Sequence, residues 1–389
     1  CRGSAGKACR HNICKGMSKK ILACIVVLAA SFSVALAGDS LKIKFRSRAL
    51  LDATVTDYGK EDVQGYYRLE DFRVGFKANY GQFELKADIG FGGGKVAIKD
   101  LLFNYHMKNC VVVVGNAYEP FSMDMLISTV DMRFNQSATS VLAFTNSRKL
   151  GATIHYYLPS LYLATGVYTH NDINKIGSSQ VNAFVSTSRA VWRRQKGDYL
   201  IHAGGAFSFR TRPVNTEGDP ETEVSSAGVT SMLPNALLNA KVDHLGTEVK
   251  GLLEALYMSP KFMIQSEYFV DRYNRTQGEA YMPHGGYIPA GYLIKGRGFE
   301  YDPVYSIPGR PKTEKAIELT ARLNYTDMND PKAGISGGKE TDLSVGANFY
   351  LNKYLAVKAN CSYVFVGDNC NEFYQKDLLL GQIRIQYVF

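Results

Sequence analysis

The chain reads as an all-β, transmembrane antiparallel β-barrel of about sixteen strands with inward-folding loops, and three observations carry that reading. Its last residues, Gln382 to Phe389, alternate strictly, so that Gln382, Arg384 and Gln386 share a wet face opposite Ile383, Ile385, Tyr387 and Phe389. Aromatic residues make up 12% of the 389, and 25 of them are Tyr, a side chain favoured where a ring sits in lipid and a hydroxyl among headgroups. Beyond the N-terminal segment, no stretch has the eighteen or so consecutive apolar residues that a spanning helix requires.

The N-terminal segment fits export. From Met17 a basic Lys19-Lys20 precedes the apolar run Ile21 to Ala30 and the small-residue site Ala35-Leu36-Ala37, which predicts a signal peptide over 17–37. Residues 1–16 carry no periodic pattern and are expected to be non-native upstream sequence, leaving 38–389 as the barrel domain. Removing 1–37 takes away six basic residues and no acidic one, which lowers the formal charge from +9 to +3 and argues against a nucleic-acid partner. Of seven cysteines only Cys110, Cys361 and Cys370 are left, at spacings that suit neither a disulfide framework nor a metal site, so free thiols and no metal or cofactor are expected.

Alternating segments predict strands at about 41–55, 66–80, 82–91, 96–107, 110–116, 150–158, 161–169, 180–193, 198–211, 246–258, 261–271, 284–297, 314–326, 339–350, 354–367 and 376–389. Many approach the ten or so residues that cross a bilayer at a tilt, and sixteen is even, as closure by hairpins requires. Tight joins such as Tyr80-Gly81-Gln82, Met107-Lys108-Asn109 and Ser259-Pro260 follow even-numbered strands, whereas the long segments 117–149 and 212–245 follow odd-numbered ones. The Pro-rich Gly298 to Thr313 is the exception, a long segment on the tight-turn side, which either folds into the lumen or marks a hairpin miscounted nearby. The 33-residue stretch Ala117 to Lys149 is likewise expected to fold inward and narrow the channel, because sixteen strands otherwise enclose an open bore.

Charge sets the facing of each strand. In the first, Leu41, Ile43 and Phe45 alternate with Lys42, Lys44, Arg46 and Arg48. A cation against mid-depth lipid costs about 2–4 kcal/mol, so four there would rival the roughly 5–15 kcal/mol stability of a whole domain. The basic face must line the lumen. The same parity turns inward Arg73 and Lys77, Arg189, Arg210, Arg322 and Lys358, together with the acids Glu84, Asp88, Glu248, Glu254, Glu267 and Glu318. Few acids neighbour the basic set of strand 1 in strand 2, so these cations are expected to form a path for small anions, each lowering an anion's energy without trapping it. The alternatives are cross-lumen ion pairs that hold shape in a weakly selective diffusion channel, or a closed barrel with a receptor or structural role.

Other chemistries find little support. His155, His202, His244 and His284 have no nucleophile and carboxylate placed with them, so an enzyme is not expected. Gly90 to Val96 resembles a phosphate loop but lacks the Ser or Thr after Lys95, and reads as a hairpin.

Several stretches resemble the phosphate-selective porin O and P family: Phe72-Arg73-Val74-Gly75-Phe76-Lys77, Phe83 to Asp88, Lys99-Asp100 with Tyr105, Gly115, Pro120-Phe121-Ser122, Arg148-Lys149-Leu150-Gly151, Glu318-Leu319 with Ala321-Arg322 and Tyr325, and Leu343 to Leu351 with Phe389. The resemblance spans most of 40–389 and implies a homotrimeric sixteen-stranded channel of the bacterial outer membrane, narrowed by its third loop, fifth loop and a periplasmic turn. It also implies Arg148, and with it Arg133, as constriction-loop residues. The chain departs from the family at Asn135-Gln136-Ser137, where members commonly carry a charged pair.

Overall fold

The computed structural model describes residues 40–57, 63–92, 95–175, 183–213, 220–374 and 376–389. The predicted signal segment, its upstream residues and part of the Gly90 to Val96 turn lie outside that set. Sixteen strands form a closed antiparallel barrel. They are β1 (Lys42–Asp57), β2 (Gln64–Tyr80), β3 (Phe83–Gly90), β4 (Ala97–Met107), β5 (Cys110–Ala117), β6 (Lys149–Tyr157), β7 (Leu161–Thr169) and β8 (Phe184–Lys196). The second half comprises β9 (Tyr199–Arg210), β10 (Leu245–Met258), β11 (Phe262–Arg275), β12 (His284–Lys295), β13 (Ala316–Asp330), β14 (Ile335–Tyr350), β15 (Leu355–Val366) and β16 (Leu378–Val388). Each matches one predicted segment, with ends shifted by a few residues. Closure is made by β1 against β16, from Arg48 opposite Val388 to Asp57 opposite Leu379, and Ser47 and Phe389 exchange backbone hydrogen bonds of 2.9 and 3.0 Å. The terminal aromatic is therefore part of the seam.

Alternation holds around the wall. On β8, Phe184 and Trp192 are exposed while Val185, Arg189 and Arg193 are buried; on β16, Leu379, Ile383, Ile385 and Tyr387 face out while Gln382, Arg384 and Gln386 are buried. The outward residues are apolar, as a lipid-facing band requires. One irregularity matters for the interior. A bulge at Glu70, where Leu50 pairs with Asp71 but Leu51 pairs with Leu69, resets the parity of β2. It keeps Tyr67 and Leu69 outside while turning Asp71 inward in phase with Arg73.

Connections sort by length. At one end lie the short joins 81–82, 108–109, 158–160, 197–198, 259–261 and 351–354, two of them using left-handed glycines, Gly81 at φ 54° and Gly197 at φ 60°. At the other end lie the longer loops. The exceptional Gly298 to Thr313 segment forms a hairpin, Phe299–Asp302 paired with Ile307–Pro311, whose backbone is seized by inward side chains of β8. The 212–245 segment contains a hairpin of its own, Thr222–Ser226 with Leu238–Val242, which the alternation pattern did not signal.

The apolar core sits inside the barrel on one side. Leu252 of β10 and Phe269 of β11 turn inward and pack with Phe121, Val141 and Phe144 of the 118–148 loop and with Leu237, Leu238 and Val242 of the 212–245 hairpin. The Phe121 and Phe144 rings lie 6.3 and 5.9 Å from that of Phe269. Burying one such side chain is worth about 1.5–3 kcal/mol. Several of them hold both loops in place.

Candidate functional site

The 118–148 loop crosses the lumen as two short helices, α1 (Met123–Leu126) and α2 (Thr139–Phe144), joined by irregular chain. Interior backbone needs partners, and barrel side chains supply them. Lys358 donates through Nζ to the carbonyls of Val130 and Met132 at 3.2 and 2.5 Å, and Gln386 to that of Val130 at 2.9 Å. Asn348 donates to the Arg133 carbonyl, Arg322 to that of Gln136 and Lys250 to that of Phe144, at 3.0, 2.8 and 3.0 Å. At the start of α1, Glu267 accepts from Ser122 Oγ and from the amides of Met123 and Asp124 at 2.9, 2.6 and 3.2 Å. The loop is stitched to the wall along its length.

That stitching separates the predicted cations into two groups. Arg189 is buried between Glu254, at 3.0 Å, and the carbonyls of Tyr305 and Ser306, at 2.8 and 2.9 Å, where it braces the Phe299–Pro311 hairpin. Arg133 lies against Glu318 at 2.9 Å and donates to the Gly309 carbonyl, so it links loop, hairpin and wall. Arg210 pairs with Glu248 at 3.0 Å, and Arg322 approaches Asp342 at 3.8 Å and the Phe134 ring at 4.6 Å. Together with Lys358, these five are buried supports of the constriction. Arg193, which alternation also turns inward but which was not singled out from sequence, belongs with them, holding the Pro303 carbonyl and Ser306 Oγ at 2.7 and 2.6 Å.

The second group faces water. A cavity of about 290 Å³ lies between the loop and the wall of β1 to β6, and Arg46, Arg48, Arg73, Lys77, Lys86 and Arg148 all line it. Lys86 was missed in the sequence, although it shares the inward parity of Glu84 and Asp88. Arg148 sits at the edge of the loop, bonded to Asp100 at 2.6 Å and to the Tyr118 hydroxyl at 2.8 Å, with its guanidinium 4.2 Å from the Tyr118 ring centre. Lys42 and Lys44 are exposed toward the short-turn end of β1, with no carboxylate of the described residues within ion-pairing distance.

Strand β2 supplies one acid to the β1 set, Asp71, and β3 supplies a second, Asp88. Arg46 pairs with Asp88 at 2.9 Å, Arg48 and Arg73 both reach Asp71 at 2.9 and 2.8 Å, Lys77 meets Glu84 at 3.1 Å and Lys86 meets Asp100 at 2.6 Å. Asp71 is among them because it shares the inner face with Arg73, two residues on. Six cations nevertheless share four carboxylates, leaving a positive surplus on the cavity wall. Asp124 of α1 also lines the cavity, and burial pushes its carboxyl above the usual range, which favours the uncharged form.

The geometry defines a class: a closed β-barrel whose bore is narrowed from within and keeps a cavity lined by charged side chains. The chain belongs to the phosphate-selective porin O and P family, whose profile matches residues 37–389. No curated protein matches it by sequence. Among solved structures, it resembles OmpT of Vibrio cholerae in a form lacking loop L8, at 12% identity and a TM-score of 0.58 over 90% of this chain and 100% of that one. It also resembles OprB of Pseudomonas putida, at 11% identity and 0.55 over 89% and 94%, and a mutant porin of Rh. blastica, at 13% and 0.52 over 90% and 100%. Fold and family place the protein in the bacterial outer membrane and point to a channel there.

Proposed function

We propose that the channel passes small anions by passive diffusion, inorganic phosphate among them, along the inner face of β1 to β6. The observation that carries this reading is the positive surplus on the cavity wall, six cations to four carboxylates within reach of one another. An anion there sits within about one Debye length, roughly 8 Å at physiological ionic strength, of several guanidinium and ammonium groups at once. Lys42 and Lys44 extend the cationic track beyond the cavity toward the short-turn end. The pairing of each cavity cation with a carboxylate favours a second reading, a diffusion channel of weak selectivity. Reversal potentials of the refolded protein in a potassium chloride gradient, repeated with potassium phosphate, separate the two. The anion reading expects potentials of anion sign that grow as ionic strength falls; a zero or cation-sign potential at low salt overturns it. OmpT of Vibrio cholerae has been solved in a trimer form, which supports a homotrimer here, to be checked by the mass of the crosslinked protein.

A further inference from the structure

The outer wall carries a feature that permeation does not use. At the short-turn end, Trp192, Tyr199, Tyr257 and Tyr292 of β8, β9, β10 and β12 are 51, 54, 39 and 51% exposed on the outward face. Tyr and Trp in such a row sit at the level of the headgroups. Around the turns at this end stand six exposed cations, Arg194, Lys196, Lys261, Lys295, Arg297 and Lys315, with Lys196 directly opposite Tyr199. Arg194 and Lys196 continue the parity of Trp192, so they project from the lipid-facing side of β8 and away from the bore. At about 3.3 Å per residue they lie roughly 7 and 13 Å further along the strand than Trp192, the depth of lipid phosphates once the aromatic rings mark the interface.

Acids in this sector are few. Asp198 pairs with Arg297 at 3.4 Å and with Lys312 at 3.1 Å, and Glu300 and Glu314 are the other acids near them in sequence. Lys261 donates to the Gly296 carbonyl at 2.8 Å. Among the described residues, Arg194, Lys196, Lys295 and Lys315 meet no carboxylate within ion-pairing distance. In outer-membrane barrels short turns are periplasmic, so this patch borders the periplasmic leaflet.

We propose that the β8 to β13 sector is a binding surface for anionic phospholipid headgroups of the periplasmic leaflet, with Arg194, Lys196, Lys295 and Lys315 meeting the phosphates and the aromatic row packing on glycerol and upper acyl chain. Basic residues at a membrane surface attract anionic lipid in this way, each contributing a modest amount that vanishes as salt screens it. An acidic soluble protein would need the cations to point into the periplasm, whereas Arg194 and Lys196 point sideways.

The test is lipid retention. The full-length protein is refolded into vesicles of equal phosphatidylglycerol and phosphatidylcholine, extracted in mild detergent, and its bound lipid counted by native mass spectrometry. Expected is at least a fivefold preference for phosphatidylglycerol, abolished in the Arg194→Gln, Lys196→Gln, Lys295→Gln, Lys315→Gln variant and kept when the same four positions exchange Lys for Arg and Arg for Lys. If the Gln variant fails to fold, the wild type refolded in 0.5 M sodium chloride must lose the preference instead. Equal retention of the two lipids by wild type, a preference unchanged by the Gln set, or displacement of the lipid by millimolar inorganic phosphate overturns the proposal.

Discussion

Arg48 and Arg73 stand directly opposite one another on β1 and β2, and both hold the same carboxylate, Asp71, at 2.9 and 2.8 Å. Like charges directly opposed across two strands destabilise a sheet. One shared acid offsets part of that repulsion and leaves the trio with a net positive charge facing the cavity. Replacing Asp71 by Asn should therefore raise anion preference while lowering resistance to denaturant by about 1–3 kcal/mol, since the guanidinium groups lose a buried charged partner. Reversal potentials and guanidinium unfolding check the two parts. A lowered anion preference would remove the trio from the permeation path.

The complementary change neutralises the track. Lys42, Lys44, Arg46 and Arg48 replaced together by Gln should leave the barrel folded, because only Arg46 and Arg48 have ion-pair partners and both are partly exposed. Anion preference should fall, measured as a smaller reversal potential at 0.1 M salt, where the Debye length is about 10 Å. An unchanged potential would exclude the four from the mechanism.

Much of this was legible in advance, and the reason is mechanical. Period-2 alternation is a local signal, and lipid on one side with water on the other imposes it on every strand; hence Arg73 and Lys358 are buried on the face that parity gave them. What alternation cannot show is the partner an inward side chain finds. Arg189 and Arg46 look alike in sequence, yet one ends on the carbonyls of a hairpin more than a hundred residues away and the other faces the cavity. Asp71 shares the parity of Arg73 and was passed over; what the single bulged residue, Glu70, hid is the outward facing of Tyr67 and Leu69. Lys86 was available to the same parity as Glu84 and was passed over between two acids.

The buried supports carry stability. Glu254→Gln leaves Arg189 without its carboxylate in a site of 0% side-chain exposure for both partners. Removing one partner of a buried pair typically costs about 3–5 kcal/mol. The expected outcome is an unfolding midpoint shifted down in guanidinium and a larger conductance, because the hairpin braced by Arg189 loosens. A variant as stable as wild type would show that the pair is dispensable.

Lys358 tests the loop more directly. Lys358→Met deletes the donor to the Val130 and Met132 carbonyls, leaving Gln386 as the bond to Val130. Single-channel traces should then show excess open-channel noise and a conductance raised by tens of per cent, with the barrel still closed. Quiet traces of wild-type amplitude would mean that other bonds suffice to seat the loop.

Cys370 offers a pH-dependent readout. Cys110, Cys361 and Cys370 are free thiols, as read from their spacing. Cys370 lies in the 367–377 loop with Sγ 3.0 Å from the Lys339 carbonyl, and burial pushes the thiol up to about 11. Only the thiolate attacks a maleimide, so a protein with Cys370 as its sole cysteine should label slowly at pH 7 and about tenfold faster with each unit up to pH 10. A rate that levels off by pH 9 would indicate an ordinary exposed thiol.

The one-sided filling of the bore has a consequence for how such a channel can diversify. Because loop and hairpin are packed against the strands from β8 to β16, exchanging an inward residue there perturbs rigidity before it touches a solute. On the proposed path only the crescent from β1 to β6 meets the diffusing ion, so a handful of substitutions on those strands would retune what the channel admits while the opposite wall keeps the scaffold in shape.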